Sequence, residues 1–139
     1  MLTGEYYHNI DAKGRMIFPS KLRDELGEHF YVTRWMDDCL SVFSQSEWDT
    51  ICERIRQVPF SKSRDIQRYL FANATDVVPD KQGRILIPQN LRDSAHLTKD
   101  VTVIGVMNHA EIWDSERWRE KSTSIDADLF DEKMQELDL

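Results

Sequence analysis

The sequence lacks the features that mark secreted, membrane and disulfide-stabilised proteins. Its only two cysteines, Cys39 and Cys52, form no Cys-x-x-Cys pair, which predicts free thiols in a reducing cytoplasm. The first residues, Met1 to His8, contain no apolar run, so we expect no signal peptide. No segment approaches the about 20 apolar residues that cross a bilayer, so we expect no membrane partner.

Motifs for catalysis and metal binding are also missing. The chain contains no Gly-x-Ser-x-Gly, no Gly-rich phosphate loop and no His-Glu-x-x-His. Its histidines are scattered without metal-ligand spacing, at His8, His29, His96 and His109. We therefore expect no catalytic residue, no metal site and no cofactor, and we do not expect an enzyme.

Positive charge is scarce, with 18 Lys and Arg against 25 Asp and Glu and a net charge of −7. Such a balance argues against general affinity for nucleic acid. However, residues 11–23 carry four bases and one acid, and residues 80–92 carry three bases and one acid. The molecule is therefore an acidic body with two basic segments, and the local potential governs where an anion docks.

The two basic segments are copies of one motif. Residues 11–23 align with residues 80–92 without a gap, which indicates an internal duplication. The identical pairs are Asp11 and Asp80, Gly14 and Gly83, Arg15 and Arg84, Pro19 and Pro88, Leu22 and Leu91, and Arg23 and Arg92.

Each copy predicts a loop, a strand and a short helix. An Asp side chain can accept hydrogen bonds from the backbone two residues on, and Gly supplies a positive φ, so Asp11, Asp80 and Gly83 are expected to structure the loops. The apolar triplets that follow favour short buried strands. Pro19 and Pro88 end these strands and suit the first turn of a helix.

The remaining chain predicts paired strands in each half and helices between and after them. We expect strands over 5–10, 30–35, 39–43, 101–106 and 110–113, with helices from Ser44 to Pro59, from Lys62 to Ala74 and from Asp114. In the second connecting helix, the inner face is expected to carry Ile66, Tyr69 and Leu70. We divide the chain into a first half (5–47), connecting helices (48–75), a second half (76–119) and an acidic C-terminal helix or tail (120–139).

The basic loops are the strongest functional candidates, and alternatives remain for each of them. Arg can bond guanine bidentately in a major groove, and a glycine lets backbone approach a phosphate. Alternatively, Arg15 and Arg84 pair with Asp11 and Asp80 and only fix the loops. The two Asp residues could also form an acid pair. A second basic region lies on the connecting helices, where it could equally be a solvated face: Arg54, Arg56, Lys62, Arg64 and Arg68.

These residues resemble the MraZ family of bacterial transcriptional regulators, which is itself similar to the AbrB, SpoVT and MazE swapped-hairpin proteins. The resemblance covers essentially the whole chain. It rests on the start Met-Leu-Thr-Gly-Glu-Tyr-Tyr-His-Asn-Ile-Asp and on the two copies of Gly-Arg, apolar triplet and Pro. It implies an α+β fold of tandem AbrB-like β-barrel halves, of the swapped-hairpin or double-psi type, related by a pseudo-twofold axis and flanked by helices.

The resemblance also implies a function. Such proteins assemble into rings, with an octamer expected, and bind short direct repeats in the promoter of their own operon of division and cell-wall genes. They act chiefly as repressors, and the expected location is the cytoplasm, in association with the nucleoid. Residues that match the DNA-binding loops are Lys13, Gly14, Arg15, Lys81 and Arg84, although the second loop has Gln82 where the first has Lys13. A protein-interaction module that forms an acidic ring without specific DNA binding remains the alternative.

Overall fold

The computed structural model describes residues 1–139, which form eight β-strands and six α-helices. The strands are β1 (Glu5–Asn9), β2 (Arg15–Ile17), β3 (Phe30–Arg34), β4 (Leu40–Phe43), β5 (Thr75–Val77), β6 (Arg84–Leu86), β7 (Asp100–Gly105) and β8 (Ala110–Asp114). The helices are α1 (Ser20–Leu26), α2 (Gln45–Arg56), α3 (Phe60–Phe71), α4 (Gln89–Ser94), α5 (Ser115–Thr123) and α6 (Ala127–Glu136). Every strand pair is antiparallel, and the α+β class is as predicted.

Six of the eight strands, drawn from both repeats, share one sheet. Its order is β1-β7-β8-β4-β3-β5. The strands β1, β3 and β4 precede the connecting helices and the strands β5, β7 and β8 follow them, so the two sets are interleaved in the sheet. The central pair joins β4 to β8, with Leu40 opposite Ile112 and Val42 opposite Ala110. Each half forms its own hairpin, β3 with β4 and β7 with β8, and the pairs β1–β7, β4–β8 and β3–β5 join strands from the two sides of the connecting helices into one core.

The sheet does not close into the barrel that the resemblance implies. Its hydrogen-bonded order ends at β1 on one side and β5 on the other, while β2 and β6 pair only with each other. A single bridge, between Ile10 and Met16, connects this two-stranded ribbon to β1. Each ribbon strand has three residues and ends two positions before Pro19 or Pro88, which cannot donate to a strand ladder.

The inner face of the ribbon seals the core. Met16 and Ile85 face each other across β2 and β6 and belong to a cluster of 19 buried apolar residues drawn from both repeats. Phe18 lies 5.0 Å from Phe30 between ring centroids in the same cluster. Burial of one such side chain contributes about 1.5–3 kcal/mol, so these contacts fix the position of the ribbon.

The short helices begin after the prolines, as predicted. Pro19 and Pro88 occupy the cap positions of α1 and α4, and Leu22 and Leu91 point into the core. Gly27 ends α1 with a φ of 98°. Each repeat therefore places a helix directly behind its own ribbon strand.

The connecting helices differ from the prediction in the face that α3 buries. Leu70 is buried, but Ile66 is 56% exposed and Tyr69 is 43% exposed. The hydroxyl of Thr33 donates to the carbonyl of Leu70 over 2.6 Å, and Ser63 is also buried, so α3 docks along these residues. The prediction that Ile66 and Tyr69 lie on the inner face of this helix was therefore wrong.

The C-terminal part is helical. Asp114 caps α5 by accepting from the backbone N–H of Arg117, and Asp126 caps α6 by accepting from that of Asp128. Every residue of α6 is exposed or half-buried. None of the six helices has the length and apolar character that a bilayer crossing requires.

Candidate nucleic-acid interface

The first loop is organised by the carboxylate of Asp11. One oxygen, Oδ1, accepts from the backbone N–H groups of Lys13 and Arg15, each over 2.9 Å. The other oxygen, Oδ2, accepts from Nε of Arg15 over 3.0 Å. The backbone closes the turn through Asp11 N–H to the Arg15 carbonyl and Gly14 N–H to the Asp11 carbonyl. All of these bonds hold the Arg15 guanidinium at a fixed angle to the strand.

The second loop repeats this geometry almost bond for bond. Oδ1 of Asp80 accepts from the N–H groups of Gln82 and Arg84, and Oδ2 accepts from Nε of Arg84, all over 2.9 Å. Asp11 and Asp80 therefore accept equivalent sets of three hydrogen bonds within their own loops. In both loops the Arg uses only Nε, and the two Nη atoms have no partner within the protein.

Each glycine locks its loop to the other repeat. The carbonyl of Gly14 accepts from the N–H of Ile87 over 2.8 Å, and the carbonyl of Gly83 accepts from that of Phe18 over 2.9 Å. Both glycines are buried, with φ of 88° and 79°. Since the N–H and carbonyl of Gly14 are both engaged, its contacts favour a structural role, like that of Gly83, over approach to a phosphate.

Sequence reasoning missed the role of Arg23 and Arg92. Nε of Arg23 donates to the carbonyl of Phe18 over 3.0 Å, and Nε of Arg92 donates to that of Ile87 over 2.9 Å. Both guanidinium groups fill the space beside the glycine of the opposite loop. Their identity in the two copies was the available signal, but the motif alone could not separate these buttressing arginines from the exposed Arg15 and Arg84.

The outward face of the ribbon carries two arginines and two apolar side chains. Side chains alternate along a strand, so the residues on either side of buried Met16 and Ile85 point away from the core. Arg15 lies opposite Leu86, and Ile17 lies opposite Arg84. The face is therefore diagonal in pattern, with like residues related by the pseudo-twofold axis.

Hydrogen bonds lower the pKa values of both loop carboxylates, Asp11 and Asp80. The N–H of Arg15 is the largest cause that lowers the pKa of Asp11, and the Arg15 side chain and the N–H of Lys13 add to it. The N–H and side chain of Arg84 lower the pKa of Asp80 in the same way. Two depressed pKa values argue against the alternative of an acid pair that shares a proton.

Uncompensated positive charge in the two loops comes from the lysines. Lys13 and Lys81 are exposed and have no carboxylate within salt-bridge distance, unlike the two arginines. Solvent screens the exposed Asp–Arg pairs, so we expect them to orient the arginines more than to stabilise the fold.

The second basic region is partly neutralised by its own helices. Arg56 pairs with Glu53 over 3.2 Å, and Arg68 pairs with Asp65 over 3.6 Å. This arrangement fits the interpretation of these bases as a solvated face. The neighbouring Arg34 stacks on Tyr69, with its guanidinium carbon 3.8 Å from the ring centroid.

Two of the four histidines lie beside carboxylates. Nδ1 of His29 is 2.9 Å from Asp76, and Nε2 of His109 is 3.1 Å from Glu111. No three His, Cys, Asp or Glu side chains come together as a metal ion would need. Both cysteines are free, and burial raises the pKa of the Cys39 thiol far above its usual value.

Comparison with known proteins matches the chain over its whole length. The sequence profile of the family described as "MraZ protein, putative antitoxin-like" matches twice, over residues 1–68 and 70–139. A protein of Lachnoclostridium phytofermentans named "Transcriptional regulator MraZ" is 53% identical over 123 residues, which cover 88% of this chain and 87% of that protein. Proteins of the same name from Acetivibrio thermocellus and Finegoldia magna are 47% and 44% identical and cover 96% and 100% of both chains.

Proposed function

Because the chain belongs to the MraZ family, we propose that it is a DNA-binding transcriptional regulator whose ribbon of β2 and β6 enters the major groove of promoter DNA. A major groove is about 12 Å wide and admits a two-stranded β-ribbon. Arg15 and Arg84 are the principal base contacts, and Lys13 and Lys81 contact the phosphates. No catalytic step is part of this function.

The observation that carries the proposal is the hydrogen bonding of the two guanidinium groups. Each Arg bonds its own Asp through Nε, while neither Nη atom has a hydrogen-bond partner within the protein. A pair of Nη atoms is the fork that bonds O6 and N7 of guanine, and each such contact is worth about 1–3 kcal/mol of discrimination. The pairing with Asp therefore holds each arginine through Nε and leaves its Nη atoms available to bond a base edge.

One ribbon offers too few contacts for tight specific binding, so we propose a homo-oligomer. Several ribbons on a ring, with an octamer as the expected form, would engage direct repeats together. Once one has bound, the others see the DNA at high effective concentration, and avidity can exceed single-site affinity by about 10²–10⁴. We propose that such a protein represses the operon that carries its own gene together with division and cell-wall genes. It would then be associated with the nucleoid.

We also propose that the two repeats act as equivalent halves, over 5–47 and 76–119, each supplying one loop to a shared ribbon. The connecting helices (48–75) and the C-terminal segment (120–139) then belong to neither DNA-contacting unit. A ring without DNA binding is the second candidate, and exposed apolar residues on the acidic helix α6, Leu129 and Phe130, favour contact with a protein surface.

The test is a footprint on the DNA upstream of the chain's own gene, with light scattering on the same sample. We expect protection of short direct repeats by a multimer, with affinity that falls steeply as salt rises because phosphate neutralisation releases counterions. Uniform weak binding, equal for upstream and scrambled DNA, would favour the assembly module instead.

A further inference from the structure

Two exposed apolar side chains lie on the face of the ribbon that carries Arg15 and Arg84. Ile17 is 48% exposed and Leu86 is 55% exposed, although each sits in a three-residue strand next to a buried core residue. Single exposed apolar residues are common on protein surfaces. This pair is different because both members occupy the same position of the duplicated motif and the same outward face.

The register places each apolar side chain beside the arginine of the other repeat. Arg15 is opposite Leu86, and Ile17 is opposite Arg84. Side chains directly opposite on antiparallel strands have Cβ atoms about 4.5–5.5 Å apart. Each arginine of the ribbon therefore has an exposed apolar side chain directly beside it on the same outward face.

The chemistry of a major groove supplies one apolar group for such a side chain. Among the four base edges only thymine carries a methyl, at C5, and apolar residues contact it. We propose that Ile17 and Leu86 bind thymine C5-methyl groups adjacent to the guanines contacted by Arg84 and Arg15. This inference rests on the proposed DNA-binding function and adds a second base to its specificity.

A second copy of this chain is the competing occupant on one side. Ile17 borders an open cleft of about 700 Å³ that also holds Tyr7, Trp118, Glu5 and Asp100. Leu86 does not line that cleft, so a protein contact there would use Ile17 alone. Binding of thymine by the ribbon requires both Ile17 and Leu86. Mutation of each residue therefore distinguishes thymine binding from a subunit contact.

The experiment compares upstream DNA made with thymine to the same DNA made with uracil. Uracil keeps every hydrogen-bonding group and removes only the methyl. The wild-type protein should bind the uracil DNA more weakly, by about fourfold for each contacted methyl, the factor that burial of one methylene corresponds to. Ile17→Ala and Leu86→Ala should each bind thymine DNA more weakly and show a smaller thymine-to-uracil ratio than wild type.

Met36→Ala is the matched control, because Met36 is 68% exposed and lies in the turn between β3 and β4. It should keep the wild-type ratio. Equal affinity of the wild type for both DNAs would overturn the inference while leaving DNA binding intact. An unchanged ratio in Ile17→Ala and Leu86→Ala would also overturn it, and a fall in oligomer mass with that unchanged ratio would assign Ile17 to a subunit contact. Failure of the wild type to bind thymine DNA would overturn both this inference and the proposed function.

Discussion

The N–H of Ile87 donates to the carbonyl of Gly14 over 2.8 Å, so the second repeat holds the loop of the first. The reciprocal bond runs from Phe18 to Gly83 over 2.9 Å. These two bonds tie the loops to each other, so each half of the duplicated motif completes the loop of its counterpart.

Gly14→Ala should destabilise the fold more than Gly83→Ala. Both positions have positive φ, which costs an alanine about 1–2 kcal/mol. A Cβ at Gly14 would also lie 2.6 Å from the carbonyl oxygen of Ile87, whereas a Cβ at Gly83 meets the movable guanidinium of Arg23. Urea unfolding should give a loss of about 2–4 kcal/mol for Gly14→Ala. Equal losses for the two variants would show that the close backbone contact carries no energetic weight.

Arg15→Lys should separate base recognition from charge. Lysine keeps the positive charge but lacks the planar fork, so it cannot bond guanine bidentately. Affinity for upstream DNA should fall by about 1–3 kcal/mol, while affinity for unrelated DNA and its salt dependence should stay near the wild-type values. Fluorescence anisotropy with both DNAs measures this. A parallel loss on both DNAs would mean that Arg15 acts through the loop structure alone.

The Asp11 loop should remain intact through the mildly acidic range. The folded pKa of Asp11 lies below the ordinary 3.8, chiefly because its carboxylate accepts from the N–H of Arg15. A depressed pKa means that the stabilisation is present above the unfolded pKa and is lost as pH falls through the folded value. Carbon-detected NMR titration should find the Asp11 midpoint below 3.8, and Lys13 and Arg15 amide shifts should follow it. A midpoint at or above 3.8 would contradict the hydrogen bonding described for this loop.

Operator DNA with several evenly spaced repeats should bind far more tightly than DNA with one repeat. Insertion of half a helical turn between repeats should weaken binding, because alternate sites then face away from the protein. Gel-shift titrations with one repeat, several in phase and several out of phase provide the comparison. If all three bind equally, recognition is not multivalent, although a single ribbon could still bind DNA.

Local chemistry made the loops predictable, and long-range pairing limited the rest. An Asp four residues before an Arg, with Gly between, favours a turn closed by its own residues, and Asp11 and Asp80 accept the hydrogen bonds of such a turn. The burial of Gly14 depends on Ile87, which is distant in the chain, and no local pattern indicates it. The exposure of Ile66 and Ile17 was missed for a similar reason. Periodicity identifies the apolar residues, but it does not decide which of them are covered. The docking of α3 decides this for Ile66, and the pairing of β2 with β6 decides it for Ile17.

The double variant Arg15→Ala/Arg84→Ala tests the central claim most directly. Its control, Arg54→Ala/Arg56→Ala, removes the same charge from the connecting helix α2. Two lost guanine contacts should lower the affinity for upstream DNA by at least about thirtyfold, while the control stays within about threefold of wild type. Anisotropy titration at one fixed salt concentration decides the matter. Equal losses in the two double variants would contradict recognition through the ribbon and leave only general electrostatic attraction.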